Sequence, residues 1–223
     1  MCGINGIYNF SGQHLNDASD LIVTMNKKIA HRGPDDNGTW KDDSNKVFFG
    51  HQRLSIIDLS AAGHQPMLDA NGNCIVFNGE IYNYLDLKKS LSDESFIGDS
   101  DTEVLMKLLA KNGLNAVNSL NGMFAFAYWN NNNKSLSLVR DRIGKKPLYY
   151  TIQNGILAFS SEVRALLSLP WVNAIPDDES LYHFLTFNQV SSPKTLFKNI
   201  YKLAPASILT IDANGVDEIK TYW

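Results

Sequence analysis

Turn signals cut this sequence into short apolar runs, and that punctuation narrows the possible folds more than anything else in it. Asn71-Gly72, Asn130–Asn133, Ile143–Pro147, Asn154-Gly155 and Asn214-Gly215 all sit beside such runs. Short β-branched or aromatic stretches bounded by Gly, Pro and Asn read as strands. The strands predicted are Ile4–Phe10, Val47–Phe49, Leu54–Ile57, Cys74–Phe77, Met123–Trp129, Ser135–Arg140, Leu148–Ile152 and Ile156–Phe159, with Ser207–Ile211 and Glu218–Tyr222 as a closing hairpin. Helical spacing appears between them. Ala18, Leu21, Ile22, Met25 and Ile29 share one helical face, with Asn16 or Asp17 as N-cap, and His31-Arg32-Gly33-Pro34-Asp35 must break that helix. Further helices are predicted over Tyr82–Leu91, Asp101–Asn112 with Gly113 as its stop, Glu162–Leu167 and Asp178–Phe187. Two batches of strands with helices between them predict an α+β fold of two packed sheets with helices on the outer faces.

Charge and cysteine content remove several function classes. Twenty Lys and Arg stand against 23 Asp and Glu in 223 residues. The net charge is −3 and the longest basic cluster is the pair Lys145-Lys146, which is not the footprint of a nucleic-acid binder. No apolar run reaches the roughly 18 residues of a membrane span, and MCGINGIYNF lacks the basic and apolar regions of a signal peptide. Two cysteines, Cys2 and Cys74, make no disulfide framework and fit a reducing compartment. The five histidines are scattered without metal-ligand spacing, so no metal site is expected.

Four features can carry chemistry. Removal of Met1 would leave Cys2 with a thiol and a free α-amine, a nucleophile and a base in one residue. An inert buried cysteine fits that position equally well. Phe77-Asn78-Gly79-Glu80 places an amide side chain and an unhindered N–H at a strand end, where they can form an oxyanion hole or simply a turn. Arg53, before Leu54-Ser55-Ile56-Ile57, can clamp a carboxylate, and Glu80 and Asp101 can hold an ammonium. One cation and two anions suit a zwitterionic amino acid, although each alone is ordinary surface charge. The fourth feature is the dense polar loop His31–Asp35. His51 and His64 are assigned no role, and no Ser/His/Asp order, P-loop or GxGxxG stands out.

Together these segments resemble the N-terminal glutaminase domain of the glutamine-hydrolysing asparagine synthetases, a class II glutamine amidotransferase domain. The resemblance runs over nearly the whole chain, through MCGINGIY, HRGPDDNG, GHQRLSIIDLS, GHQPM, FNGEIYNY, SDTEVL, LNGMFAFAYW, RDRIGKKPLYY, FSSEVRALL and PKTLFKNIYKLAPAS. It implies the four-layer αββα fold of the N-terminal-nucleophile hydrolases, with residues 1–223 as one amidotransferase domain. It implies Cys2 as nucleophile once Met1 is removed, Asn78 and Gly79 as oxyanion hole, Arg53 on the substrate α-carboxylate, and Glu80 and Asp101 on its α-ammonium. Leu54, Ser55, Ile56 and Ile57 match the segment lining the glutamine site. The substrate implied is L-glutamine, with no cofactor in this domain.

The resemblance also implies a C-terminal synthetase domain of the same polypeptide that uses ATP and Mg to make asparagine from aspartate. Its SGG-type loop is absent here, so these residues are expected to be one domain of a longer cytoplasmic enzyme, with a homodimer as the further assembly the resemblance implies. Two other readings stay open: an amidotransferase for another carboxylate acceptor, such as a surface-polysaccharide sugar acid, and a non-catalytic glutamine-binding or interaction module.

Overall fold

A computed structural model describes the backbone of residues 1–223 and every side chain but that of Asp217. Two six-stranded sheets face each other. The first comprises β1 (Gly3–Asn9), β2 (Asp36–Lys41), β3 (Val47–Arg53), β8 (Tyr149–Gln153), β9 (Ile156–Ser160) and β10 (Tyr201–Lys202), in the order β10-β8-β9-β1-β3-β2. The second comprises β4 (Met67–Leu68), β5 (Cys74–Ile81), β6 (Gly122–Asn130), β7 (Ser135–Arg140), β11 (Ser207–Asp212) and β12 (Gly215–Thr221), in the order β12-β11-β7-β6-β5-β4. All the pairings are antiparallel.

Strand alternation explains the layering, because successive side chains point to opposite faces of a sheet. Ile4, Tyr8, Phe49, Val76, Ala125, Ala127 and Trp129 pack between the sheets. Ile7 and Phe48, one residue out of step, face outward and meet α1 (Ala18–Lys28) through Ile22 and Met25, Ile29 just past its end, and α4 (Val163–Leu166) through Ala165 and Leu166. On the far side Ile75, Phe77, Phe124 and Phe126 are covered by Val104, Leu105, Leu108 and Leu109 of α3 (Asp101–Asn112), with Leu87 of α2 (Tyr84–Lys89) beside them. The order is therefore helix, sheet, sheet, helix. A further helix, α5 (Asp178–Phe187), is largely exposed. Among the described residues no helix is long and apolar enough to cross a membrane.

The expected elements are present with several corrections. Helix α3 has the predicted bounds, is N-capped by Ser100 and ends at Gly113 with φ +60°, a conformation that favours glycine. Asp17 does not cap α1: it lies in the left-handed region with no side-chain cap bond. Leu54–Ile57 is not a strand. The strand beginning at Val47 runs on to Arg53, so Arg53 closes a strand rather than opening one. Beyond it the chain bends because the Arg53 guanidinium gathers the carbonyls of Asp58 and Ser60, and the Asp35 carboxylate accepts from Ser55 N–H at 2.8 Å. Asn78-Gly79 is neither a turn nor a strand end. The strand continues to Ile81, with Asn78 opposite Ala125 and Gly79 opposite Phe124. Strand β2 was not expected, and its polar sequence Asp-Asn-Gly-Thr-Trp-Lys explains why.

Candidate active site

The cleft opens where β1, β3 and β5 converge, and its position follows from how β5 loses a neighbour. Strand β4 is only two residues long and pairs no further along β5 than Ile75. Past that point side chains replace the missing strand. Gln65 Oε1 accepts from Phe77 N–H at 2.7 Å, and His51 Nε2 donates to Phe77 O at 3.1 Å. Four residues on, Ile81 N–H donates to Asp101 Oδ2 at 2.9 Å. Alternate strand residues direct their N–H groups to the same edge. The N–H of Gly79, midway between Phe77 and Ile81, therefore faces this edge too, and the cleft in front of it. A Cβ on Gly79 would fall on the Met123 carbonyl oxygen and 2.8 Å from Phe124 Cα, so the close approach of β5 to β6 requires glycine here.

Asn78 is fully buried, and neither its Nδ2 nor its Oδ1 has a hydrogen-bond partner among the described residues. A buried amide left unpaired is costly, so native structures that keep one usually have a use for it. Asn78 lines the same cleft as Cys2.

Cys2 is half-buried and rests against the backbone of Leu54. Its thiol donates to Leu54 O at 3.5 Å, and its sulfur accepts from Leu54 N–H at 3.4 Å. Its carbonyl accepts from Arg32 Nε at 2.9 Å, and Arg32 in turn reaches Glu162 at 3.0 Å. The HRGPD loop thus fixes the nucleophile candidate from below, and Gly33 lets it do so, since a Cβ there would overlap the backbone of Gln52 and Arg53. Burial pushes the Cys2 thiol up, while the Leu54 hydrogen bond and the charges of the Met1 α-amine, Lys146 and Arg53 pull it back. Burial lowers the α-amine of Met1.

The ten predicted residues Cys2, Arg53, Leu54, Ser55, Ile56, Ile57, Asn78, Gly79, Glu80 and Asp101 all line this one cleft. Their states differ. The Arg53 guanidinium is tied to two loop carbonyls, crossing a gap that Gly63 leaves open. Asp101 is buried at the start of α3, and burial lifts its carboxyl to about 6 against the opposing Ile81 N–H bond. Glu80 is half-buried, and Ile56 is exposed. His51 is fully buried and held neutral, with its pKa lowered to about 4 by burial, so it positions Phe77. Sequence reasoning missed Lys146, Gln65 and Thr102, which line the cleft as well. The GHQPM, RDRIGKKPLYY and SDTEVL segments contain all three, but a lone glutamine, lysine or threonine carries no spacing to read. Among the described residues no group of His, Cys, Asp and Glu could hold a metal ion.

The family model of the glutamine amidotransferase domain matches residues 1–223. A glutamine-hydrolyzing asparagine synthetase 1 of Bacillus subtilis (strain 168) is 40% identical over 227 residues, covering 100% of this chain and 35% of its own length. A putative glutamine-hydrolyzing asparagine synthetase 2 of Methanocaldococcus jannaschii is 38% identical, over 100% of this chain and 46% of its own. The chain thus spans less than half the length of either relative. Among solved structures, the glutamine phosphoribosylpyrophosphate amidotransferase from B. subtilis complexed with ADP and GMP superposes with a TM-score of 0.71 at 19% identity. It covers 100% of this chain and 49% of that one, and the likeness establishes the αββα N-terminal-nucleophile hydrolase fold. The match over all 223 residues, together with relatives well above 30% identity, places this chain in the glutamine amidotransferase domain family.

Proposed function

We propose that this domain hydrolyses L-glutamine to glutamate and ammonia, with Cys2 as nucleophile after removal of Met1. The observation that carries the reading is the unpartnered Asn78 amide in the cleft that holds the Cys2 sulfur. The α-amine of Cys2 takes the thiol proton, and the sulfur attacks the side-chain amide carbon of glutamine. Charge gathers on the former carbonyl oxygen, where Asn78 Nδ2 and the Gly79 N–H donate to it. Such donors stabilise the tetrahedral intermediate far more than the flat ground state. The protonated α-amine then gives its proton to the departing ammonia, and water cleaves the thioester to release glutamate. Arg53 receives the substrate α-carboxylate, while Glu80 and Asp101 hold its ammonium. Leu54, Ser55, Ile56 and Ile57 border the substrate through the loop after β3.

The relatives' greater length, and the name asparagine synthetase that several carry, favour a larger polypeptide. There the ammonia would pass to an ATP- and Mg-dependent synthetase domain that amidates aspartate. A different acceptor is the second reading, favoured by a relative named amidase chry2 from Gibberella zeae that is 37% identical over the whole of this chain.

The test is glutamate release by the purified chain, with asparagine as control substrate and intact mass reporting the state of Met1. Hydrolysis of glutamine alone, lost in Cys2→Ala, is the expected result. A chain that lacks Met1 and hydrolyses nothing would overturn the reading.

A further inference from the structure

We infer that Lys146 is a further working residue of this cleft, its ammonium being the cation that draws the Cys2 thiol toward thiolate. This rests on the reading of Cys2 as nucleophile.

Lys146 is 5% exposed and lines the cleft beside Cys2 and Glu80. It makes no ion pair within 4.0 Å among the described residues, whereas exposed lysines such as Lys89 and Lys194 do. Its stem is packed away, while its ammonium is not among the fully buried unpaired atoms and opens onto the cleft. The loop is built to hold it there. Asp141, itself fully buried, accepts from the N–H groups of Phe124 at 3.2 Å, Ile143 at 3.2 Å, Lys145 at 2.9 Å and Lys146 at 2.9 Å. Arg140 Nε donates to the Lys146 carbonyl at 2.8 Å. This frame turns Lys146 inward and leaves its neighbour Lys145 exposed.

The α-amine is the charge nearest Cys2 in its effect, and the other side-chain charges around Cys2 are already engaged. Arg32 binds the Cys2 carbonyl and Glu162, which His31 and Arg164 also contact. Arg53 binds the carbonyls of Asp58 and Ser60, and Asp35 takes the Ser55 N–H. Asp101 takes the Ile81 N–H, and Glu80 stands across the cleft and shares Lys146's field. Besides the α-amine, which serves as the base, Lys146 is thus the side-chain cation left free to meet charge that develops on sulfur. It acts against the burial that raises the thiol, in the same sense as Arg53.

The experiment is the rate of alkylation of Cys2 by iodoacetamide as a function of pH. The thiolate displaces iodide from the reagent, so the midpoint of the profile reports thiolate formation without any need for glutamine. Cys74 is fully buried and stays silent in the native protein. Lys146→Met should move the midpoint up by about half to one pH unit, so that alkylation near neutral pH slows by about 3- to 10-fold. Lys146→Arg should restore the wild-type midpoint, and Lys145→Met on the same loop should leave it in place. If Lys146→Met fails to fold, Lys146→Gln gives the same readout in a polar form.

An unmoved midpoint in the neutral variant, or an equal shift in Lys145→Met, overturns the inference. A shifted midpoint in a protein that hydrolyses no glutamine would keep the electrostatic role of Lys146 and sink the glutaminase reading instead. Hydrolysis with an unmoved midpoint would do the reverse.

Discussion

On the wall of the cleft formed by β3 and the loop after it, polar groups are already engaged, whereas on the wall formed by β5 and α3 the Asn78 amide is held without a partner and Asp101 keeps a bond to the Ile81 N–H but no cation. On the first wall Arg53 binds two carbonyls, Arg32 binds Cys2, and Asp35 binds Ser55. On the second wall Asn78 keeps both amide atoms free, and Asp101 carries a carboxyl displaced upward by burial. The first wall is organised by its own hydrogen bonds and fixes the position of the sulfur. The second holds groups at a cost that a ligand would relieve. Their substitution phenotypes should therefore separate: changes on the first wall lower stability as well as binding, whereas changes on the second lower activity without destabilising the fold.

Asn78→Ala is the strongest test of that separation. Losing one oxyanion donor should lower kcat by a hundredfold or more, equivalent to about 3 kcal/mol, with KM for glutamine nearly unchanged. The folded state loses no hydrogen bond, because the amide has none. Thermal or denaturant unfolding should then move by no more than about 1 kcal/mol. A large loss of stability would mean that the amide has a native partner, and the contrast between the walls would collapse.

How far the sequence anticipates this site depends on the kind of interaction involved. Helix α3 is legible to the residue because the apolar face and Gly113 are local signals, and the motifs that contain the ten candidate residues lead to one cleft. The extension of β5 through Asn78 and Gly79 is not legible. Asn-Gly is a turn signal by propensity, and only the pairing with β6, fixed by residues more than forty positions away, overrides it. The bend at Leu54–Ile57 was hidden for a similar reason. Its apolar residues fit a strand, but Arg53 and Asp35 take up its backbone partners through side-chain bonds that no periodicity reveals. Lys146 depends on Asp141 folding a loop around itself, which is a tertiary fact.

Arg53→Met should show the opposite pattern to Asn78→Ala. It leaves the carbonyls of Asp58 and Ser60 without their charged donor, so unfolding should become easier by about 1–3 kcal/mol. Limited proteolysis between residues 54 and 60 should accelerate. The lost carboxylate clamp should raise KM for glutamine by about tenfold or more, with a smaller effect on kcat. Intact loop protection in this variant would show that the loop is held by something other than the guanidinium.

Asp101 gives the smallest and most informative effect, because stability and binding should move in opposite directions. Its carboxyl is raised from 3.8 to about 6 by burial. Between those values the folded chain holds a proton that the unfolded chain releases, so stability declines as pH rises from about 4 and levels off above about 6. The shift corresponds to about 2–3 kcal/mol, present below the lower value and lost above the upper one. Asp101→Asn keeps an oxygen for the Ile81 N–H and removes the titration. It should therefore be more stable than the wild type near pH 7.5, by up to about 2 kcal/mol, and no more stable near pH 4. The same change should raise KM for glutamine severalfold, and in the wild type KM should climb as pH falls below about 6. Stability curves that coincide at both pH values would mean that Asp101 meets a partner beyond the Ile81 N–H in the native cleft, and the second wall would then be as fully engaged as the first.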